Sequence, residues 1–314
     1  MKNILNILTI VLIACAMMAC SSKKNDNKNS SKLNETTDSS KCINTEFKNV
    51  NHGDKFIGVQ LWSVRDDMKK DPETTIKVLG KMGYKFVEMA GYSDGKFYGM
   101  QPEDFKKLCE DNGVKVLGSH YGPNISKEEG SLEKALGEWK IAINAHKRAG
   151  CSYIVKPSQG KWAYESLEGL KAYCDYYNKV GEMCNEAGLR FGYHNHEKEF
   201  MEVEGKVMYD YMLENTDPEK VAFELDLYWI NKGGKVASDY FKKYPGRFEY
   251  YHVKNEKELC ADEEAIFKDA FEAVTEAGVK EIIVEVEHYN FDPLVSVMKS
   301  LDFLSNQDYV KAKY

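Results

Sequence analysis

One phrase recurs along this chain: a helix-forming run ends in glycine and passes directly into a short apolar run. It reads Lys81-Met82-Gly83-Tyr84-Lys85, Asp111-Asn112-Gly113-Val114-Lys115, Arg148-Ala149-Gly150-Cys151-Ser152, Glu186-Ala187-Gly188-Leu189-Arg190 and Glu276-Ala277-Gly278-Val279-Lys280. Glycine accepts the left-handed backbone that closes a helix, and a short apolar run bounded in this way reads as a strand of a parallel sheet. Eight such runs are present: Phe56–Trp62, Lys85–Met89, Lys115–His120, Ser152–Lys156, Arg190–His194, Val221–Asp226, Phe248–His252 and Glu281–Glu285. Amphipathic stretches lie between them, one of which opens on Asp71-Pro72-Glu73, with proline suited to the first helical position. A chain of βα units of this kind is α/β in class. A doubly wound open sheet would give the same alternation. Eight units in roughly 260 residues, with no Gly-rich phosphate loop after the first run, favour closure into a (β/α)8 TIM barrel.

The N-terminus is of another kind. Met1-Lys2-Asn3 precedes an apolar run from Ile4 to Ala19, the pattern of a secretory signal. The run is interrupted by Asn6 and Thr9 and is shorter than the roughly 20 apolar residues of a membrane span. It ends in Met17-Met18-Ala19-Cys20, which resembles a bacterial lipobox. Leu12-Ile13-Ala14-Cys15 fits the consensus better, but cleavage there leaves a very short apolar region, so Cys20 is the expected lipidation site. Ser21 to Asp54 is polar and reads as a flexible tether. The expected organisation is a lipoprotein signal peptide over 1–19, a tether over 20–54 and a catalytic barrel over 55–314. The product would be exported, lipid-anchored to a bacterial membrane and periplasm-facing.

The formal net charge of −7 argues against a nucleic-acid partner, whose binding draws on basic patches. Besides Cys15 and Cys20, the cysteines at 42, 109, 151, 174, 184 and 260 show no CxxC pair and read mostly as small buried apolar residues.

A barrel builds its active site at the C-terminal ends of its strands, and here those ends are polar. The second run ends in Glu88, the third in His120 and the fourth in Lys156. The last four end in His194-Asn195-His196, Glu224-Leu225-Asp226, His252-Val253-Lys254 and Glu285-Val286-Glu287. Side chains alternate along a strand, so both members of each i, i+2 pair can point into the mouth. Buried ionisable groups are costly unless paired or metal-bound. Convergence at one level therefore implies a shared ligand. His194, Asp226, His252 and Glu285 form the natural quartet for one divalent metal ion, and two imidazoles with two carboxylates suit Zn²⁺, Mn²⁺, Co²⁺, Fe²⁺ or Ni²⁺. Glu287 and His196, two residues beyond ligands, are the candidate general base and acid. Lys156, His120 and Glu88 would bind hydroxyls or stabilise charge, Glu224 and Lys254 would support the quartet or act on substrate, and Trp62, Trp162 and Trp229 offer apolar faces to a sugar ring. His52 and His146 read as structural or exposed.

Gly58-Val59-Gln60-Leu61-Trp62-Ser63, Gly83-Tyr84-Lys85-Phe86-Val87-Glu88, Gly192-Tyr193-His194-Asn195-His196 and Tyr251-His252-Val253-Lys254 resemble the sugar phosphate isomerase/epimerase family, the xylose-isomerase-like TIM barrels. The resemblance implies one divalent metal held by Glu, Asp, His and Glu from the last four strands. Asp226, His252 and Glu285 match the last three, and His194 stands where many members have the first Glu, a residue that in epimerases is also one of the acid/base pair. The family's Asp after His-x-Lys is Asn255 here. Such a site abstracts a proton next to a metal-polarised carbonyl, as isomerases, epimerases and β-eliminating lyases do. Phosphorylated sugars are cytosolic, so an exported member points to an unphosphorylated keto-sugar or keto-glycoside. A carbohydrate-binding lipoprotein that kept the barrel without turnover is the alternative, and a nuclease or a metal-free two-carboxylate glycosidase are further ones. If Cys20 carries the lipid, Cys20→Ala moves the protein from the membrane to the soluble fraction on ultracentrifugation. Release by Cys15→Ala instead would assign the lipid to the earlier cysteine.

Overall fold

The computed structural model describes residues 54–260 and 264–314. The expected signal peptide, Cys20 and the expected tether up to residue 53 lie outside them. Eight parallel strands form the barrel: β1 Ile57–Gln60, β2 Phe86–Met89, β3 Lys115–Ser119, β4 Tyr153–Lys156, β5 Arg190–His194, β6 Val221–Asp226, β7 Phe248–Lys254 and β8 Glu281–Glu285. Their hydrogen-bonded order is β3-β2-β1-β8-β7-β6-β5-β4. The ring closes between β3 and β4 through a parallel bridge at His120 and Val155, with Ser152 N donating to Leu117 O at 2.7 Å and Tyr121 N to Val155 O at 2.9 Å. The fold is a (β/α)8 TIM barrel, as the repeated joint implied.

Each strand is followed by a helix of the outer layer: α1 Pro72–Met82, α2 Pro102–Asp111, α3 Ser131–Arg148, α4 Leu167–Ala187, α5 Met208–Asn215, α6 Ala237–Lys243, α7 Glu264–Glu272 and α8 Pro293–Ser305. α1 begins as its sequence directs, with Asp71 Oδ1 accepting from Thr74 N at 3.0 Å and Pro72 in the first turn, where its missing N–H costs nothing. The glycines of the five joints all have positive φ, from 74° at Gly113 to 107° at Gly83. A residue with Cβ would be strained there, and this is why the same joint recurs.

Two apolar layers stabilise the barrel. One lies between the strands and the helices, and the other fills the floor of the barrel below the mouth, where Phe86, Tyr153, Val155, Ala222, Tyr250 and Ile283 pack together. Tyr153 stacks on Tyr250 at 4.0 Å between ring centroids. Rings of this size fit inside eight strands only because neighbours are small. A Cβ on Gly118 would lie 2.1 Å from Tyr153, and one on Gly58 would lie 2.2 Å from Phe86. Residues in register with this floor layer point inward, which sets the parity for every side chain above it.

Cys109, Cys151, Cys174 and Cys184 are buried free thiols and Cys260 is exposed. Among the described residues no helix is long and apolar enough to cross a membrane. Overpacking a filled core costs about 1–3 kcal/mol, so Gly118→Ala is expected to lower the urea midpoint correspondingly, with the slope unchanged. An unaltered midpoint would mean that the Tyr153 ring moves aside freely.

Candidate active site

β2 and β5–β8 deliver ionisable side chains to one level of the mouth. Parity accounts for most of this, and bulges account for the rest. The register of β2 against β3 shifts between Val87 and Glu88, and that of β6 against β7 shifts between Phe223 and Glu224. Bulges re-aim side chains, and the extra residues are Leu117 in β3 and Glu249 in β7, so His120 and His252 lie beyond them, whereas Glu88 and Glu224, both fully buried, keep the inward parity of Phe86 and Ala222.

Glu224 occupies the centre. Its Oε2 lies 2.7 Å from His120 Nε2, 3.1 Å from His194 Nδ1 and 3.2 Å from His252 Nε2. Glu88 Oε2 is 3.0 Å from His252 Nε2, and Glu88 Oε1 is 3.3 Å from His120 Nε2. The other nitrogen of His252, Nδ1, lies 3.3 Å from Glu285 Oε2. Lys254 Nζ joins Glu287 Oε2 at 2.5 Å and Glu285 Oε2 at 3.6 Å, and it sits over the Trp229 ring at 5.7 Å. Asp226 caps the short helix Leu227–Lys232, where Oδ1 accepts from Trp229 N at 2.8 Å. Asn195 Oδ1 accepts from Asp226 N at 3.0 Å and fixes the turn.

Burial governs the protonation of this cluster. Desolvation pushes the Asp226 carboxyl up to about 8. Desolvation does the same to Glu224, to about 7, and to Glu88, to about 7, where the neighbouring Glu224 adds to it. His194 falls well below the usual imidazole range through desolvation and the neighbouring His252. His120 and His196 are lowered by burial as well. His252 goes the other way: burial opposes its charge, but Glu224 and Glu285 outweigh it and hold the imidazole protonated. At Glu285 burial is likewise outweighed, by Lys254 and His252, and the carboxyl is held low.

Two overlapping groups bring one donor atom from each member within 4.8 Å of one another: His194, Asp226, His252 and Glu285, and His120, His194, Glu224 and His252. The residues fit a divalent cation on an independent ground. Asp226 Oδ2 and Glu224 Oε1 are buried without a hydrogen-bond partner, and three carboxyls are forced toward the neutral form that a bound cation would reverse.

A cleft of ≈ 390 Å³ opens above, lined by Trp62, Ala90, His120, His194, His196, Glu285 and Glu287 together with Pro157 and Ser158. The i, i+2 pairs of the last four strands, with Glu88, His120 and Trp62, are therefore brought together. Trp229 packs near His196, at 5.6 Å between rings. Lys156 requires a correction. Its neighbours Tyr153 and Val155 point into the barrel, so Lys156 points out, and its ammonium donates to Gly122 O and Asn124 Oδ1, both at 2.9 Å, under the loop after β3. With no carboxylate among these partners, desolvation lowers it to about 7. His146 is buried and structural, with Nδ1 2.7 Å from Ala142 O and Nε2 3.0 Å from Ser119 Oγ, and His288 is exposed. Sequence reasoning under-weighted Glu224 as a mere neighbour of Asp226. The signal was the buried, wholly apolar flank of β6, which leaves its glutamate no route to solvent.

The architecture is that of a parallel barrel whose mouth is lined by histidines and carboxylates that could hold a metal ion. Residues 76–307 match the xylose isomerase-like TIM barrels, and the chain belongs to that family. A sugar phosphate isomerase/epimerase of Parabacteroides distasonis superposes with a TM-score of 0.74 at 29% identity, covering 82% of this chain and 100% of that one. The IolI protein, crystallised with a zinc atom, superposes with a TM-score of 0.61 at 14% identity over 82% of this chain and 99% of its own. An inosose dehydratase of Geobacillus kaustophilus is 20% identical over 216 residues, 63% of this chain and 68% of the relative.

The protonation pattern has a pH signature. Between pH 7 and about 8 the metal-free folded protein holds protons on Asp226 and His252, and partly on Glu88 and Glu224. Unfolded carboxyls, with ordinary values of 3.8 and 4.5, are ionised there, and unfolded histidines, with an ordinary value of 6.5, are mostly neutral. Lys156, lowered to about 7 when folded and charged when unfolded, opposes this by up to one proton, but the raised groups outnumber it, so the folded state binds more protons and its stability falls as pH rises, by about 1.4 kcal/mol per pH unit for each excess proton. The thermal midpoint of chelator-treated protein is expected to drop from pH 7 to 8, and saturation with Mn²⁺ to flatten the drop. A midpoint that rises over this window would refute the assigned protonation states.

Proposed function

We propose that the protein is a metal-dependent carbohydrate enzyme that removes a proton from the carbon beside a sugar carbonyl, acting as an isomerase, epimerase or lyase on an unphosphorylated keto-sugar or keto-glycoside. The carrying observation is the conjunction, at one barrel mouth, of the His194, Asp226, His252 and Glu285 donors with Glu287 and His196, which line the cleft above them. Of the two donor groups the Asp226 set is the better metal site. Each set has one carboxylate oxygen without a partner, but Glu224 Oε2 is already shared by three imidazoles, whereas the Asp226 set brings a second carboxylate, Glu285, to balance the charge of a cation. A divalent ion held there supplies Lewis acidity toward the carbonyl and the hydroxyl next to it.

The remaining chemistry belongs to the chain. Lys254 grips Glu287 by one oxygen, which orients the carboxylate to take the proton from carbon. The C–H electron pair moves toward the carbonyl oxygen. His196 is held by its backbone N–H, which donates to Glu199 Oε2 at 2.9 Å, and its imidazole lines the cleft as the proton donor. Return of a proton to the same carbon from the opposite face epimerises, and its return to the former carbonyl carbon isomerises. If the next carbon bears an oxygen substituent, the electrons instead form a C=C bond. The C–O bond then breaks, and His196 protonates the departing oxygen. For a glycosidic oxygen on C1, this places the proton on C2 and the carbonyl on C3. The activities named for the relatives, dehydration and isomerisation or epimerisation, support the same first step. The N-terminal signal and Cys20 support action outside the cytosol, with attachment to the membrane through lipid alone.

Removing a well-placed base costs about 10²–10⁴-fold. Glu287→Gln is expected to lose activity on that order while retaining metal, whereas Asp226→Ala loses both metal, by elemental analysis, and turnover. Turnover in D₂O followed by NMR should show deuterium at the carbon beside the carbonyl, and turnover with that hydrogen fully retained would overturn the proposal.

A further inference from the structure

A second hollow of ≈ 330 Å³ adjoins the reaction cleft and shares Trp62 and Ala90 with it. Its lining is mostly apolar, from Leu61, Met68, Pro72, Gly91 and Tyr98, with Arg65 and Lys69 beside them. We propose that this hollow is a binding subsite for the leaving part of a glycoside, a six-membered ring with an apolar face, either a second pyranose or an aryl group. This rests on the reading of the cleft as the place where the keto-sugar reacts.

Trp62 is the partition. It is 45% exposed at the mouth of the barrel, a position in which a large aromatic loses the gain of burial unless something covers it. It is nonetheless held in place. Gln60 Oε1 accepts its backbone N–H at 3.0 Å. The Arg65 guanidinium lies 5.1 Å from its ring centroid and is itself anchored by Trp62 O at 3.0 Å and Tyr289 Oη at 2.7 Å. A pinned, exposed indole between two hollows presents a preformed stacking surface, so little ordering entropy is lost when a ring packs against it.

The opposite wall is equally built. Tyr98 has φ of 50°, a conformation side chains other than Gly, Asn and Asp rarely take, and its hydroxyl accepts from Ala90 N at 2.9 Å. Its ring covers Gly91, where a Cβ would come within 2.3 Å of it. This strained tyrosine lies just past the small hairpin Tyr92–Ser93 and Lys96–Phe97, so the hollow is shaped by covalently short, locked segments. Ligand pockets commonly enclose about 300–1,000 Å³. Either hollow alone falls at the low end and suits one ring, whereas the pair suits two rings joined across Trp62. The C1–O bond broken in the elimination described above would lie at the junction.

Binding of unreactive glycosides by calorimetry tests this without turnover. Full-length protein is titrated with methyl β-glucoside, phenyl β-glucoside and cellobiose. At least one of the two-ring ligands is expected to bind tenfold or more tightly than the methyl glycoside, and the one that does identifies the ring as aryl or pyranose. Lys69 lies exposed on the rim of the second hollow alone. Lys69→Trp fills the hollow and is expected to abolish the contrast while leaving methyl glucoside within twofold, and Lys69→Ala preserves the contrast. Equal binding of all three ligands by the wild type, or a contrast that survives Lys69→Trp, overturns the proposal. Since no proton is abstracted in these titrations, a failure of the reaction chemistry shows separately, as turnover unaffected by Glu287→Gln.

Discussion

Everything at the mouth of this barrel follows from the loss of water around a set of ionisable groups that the strands bring to one level. Glu88, Glu224, Asp226 and His252 are fully buried, and His194 and Glu285 nearly so. A charge in such a place is tolerated only with a counter-charge or donors at hand. The cluster meets this condition unevenly. Glu285 is kept ionised by Lys254 and His252, whereas Asp226 and Glu224 each keep one oxygen without a partner. These two carboxyls are thus where a cation would change the energy of the arrangement most.

The same constraint explains why a histidine works at position 194. An imidazole there turns Nδ1 toward Glu224 and leaves its second nitrogen for a metal, in the manner of carboxylate-oriented histidine ligands. A glutamate, which the family resemblance implies at this point, would add another buried negative charge beside Glu224. With Glu224 pointing inward in parity with Ala222 on β6, the local charge count favours a neutral ligand. In the proposed reaction the acid/base roles fall to residues one step higher, Glu287 and His196, which line the cleft.

How far the sequence could be read differs between fold and site. The joints at Gly83, Gly113, Gly150, Gly188 and Gly278 made the βα repeat legible because a helix end needs the same left-handed residue wherever it occurs. The ends of β5 to β8 were legible through parity, since i, i+2 spacing on a strand is a local property. Lys156 defeated the same logic: it ends a strand too, but on the odd face, and parity relative to the barrel interior is known only once Tyr153 and Val155 are seen packing inside.

The sequence by itself determined the α/β class, the number of units and the residue types at the strand ends, because helix caps, strand alternation and apolar runs are written in near neighbours. Only the tertiary structure decided that Glu224 would hold three imidazoles, that Lys156 would turn away and that Trp62 would divide two hollows. Those outcomes depend on bulges, on barrel closure and on which side chains fill the floor, and each joins residues far apart in the chain whose mutual distance no local pattern encodes.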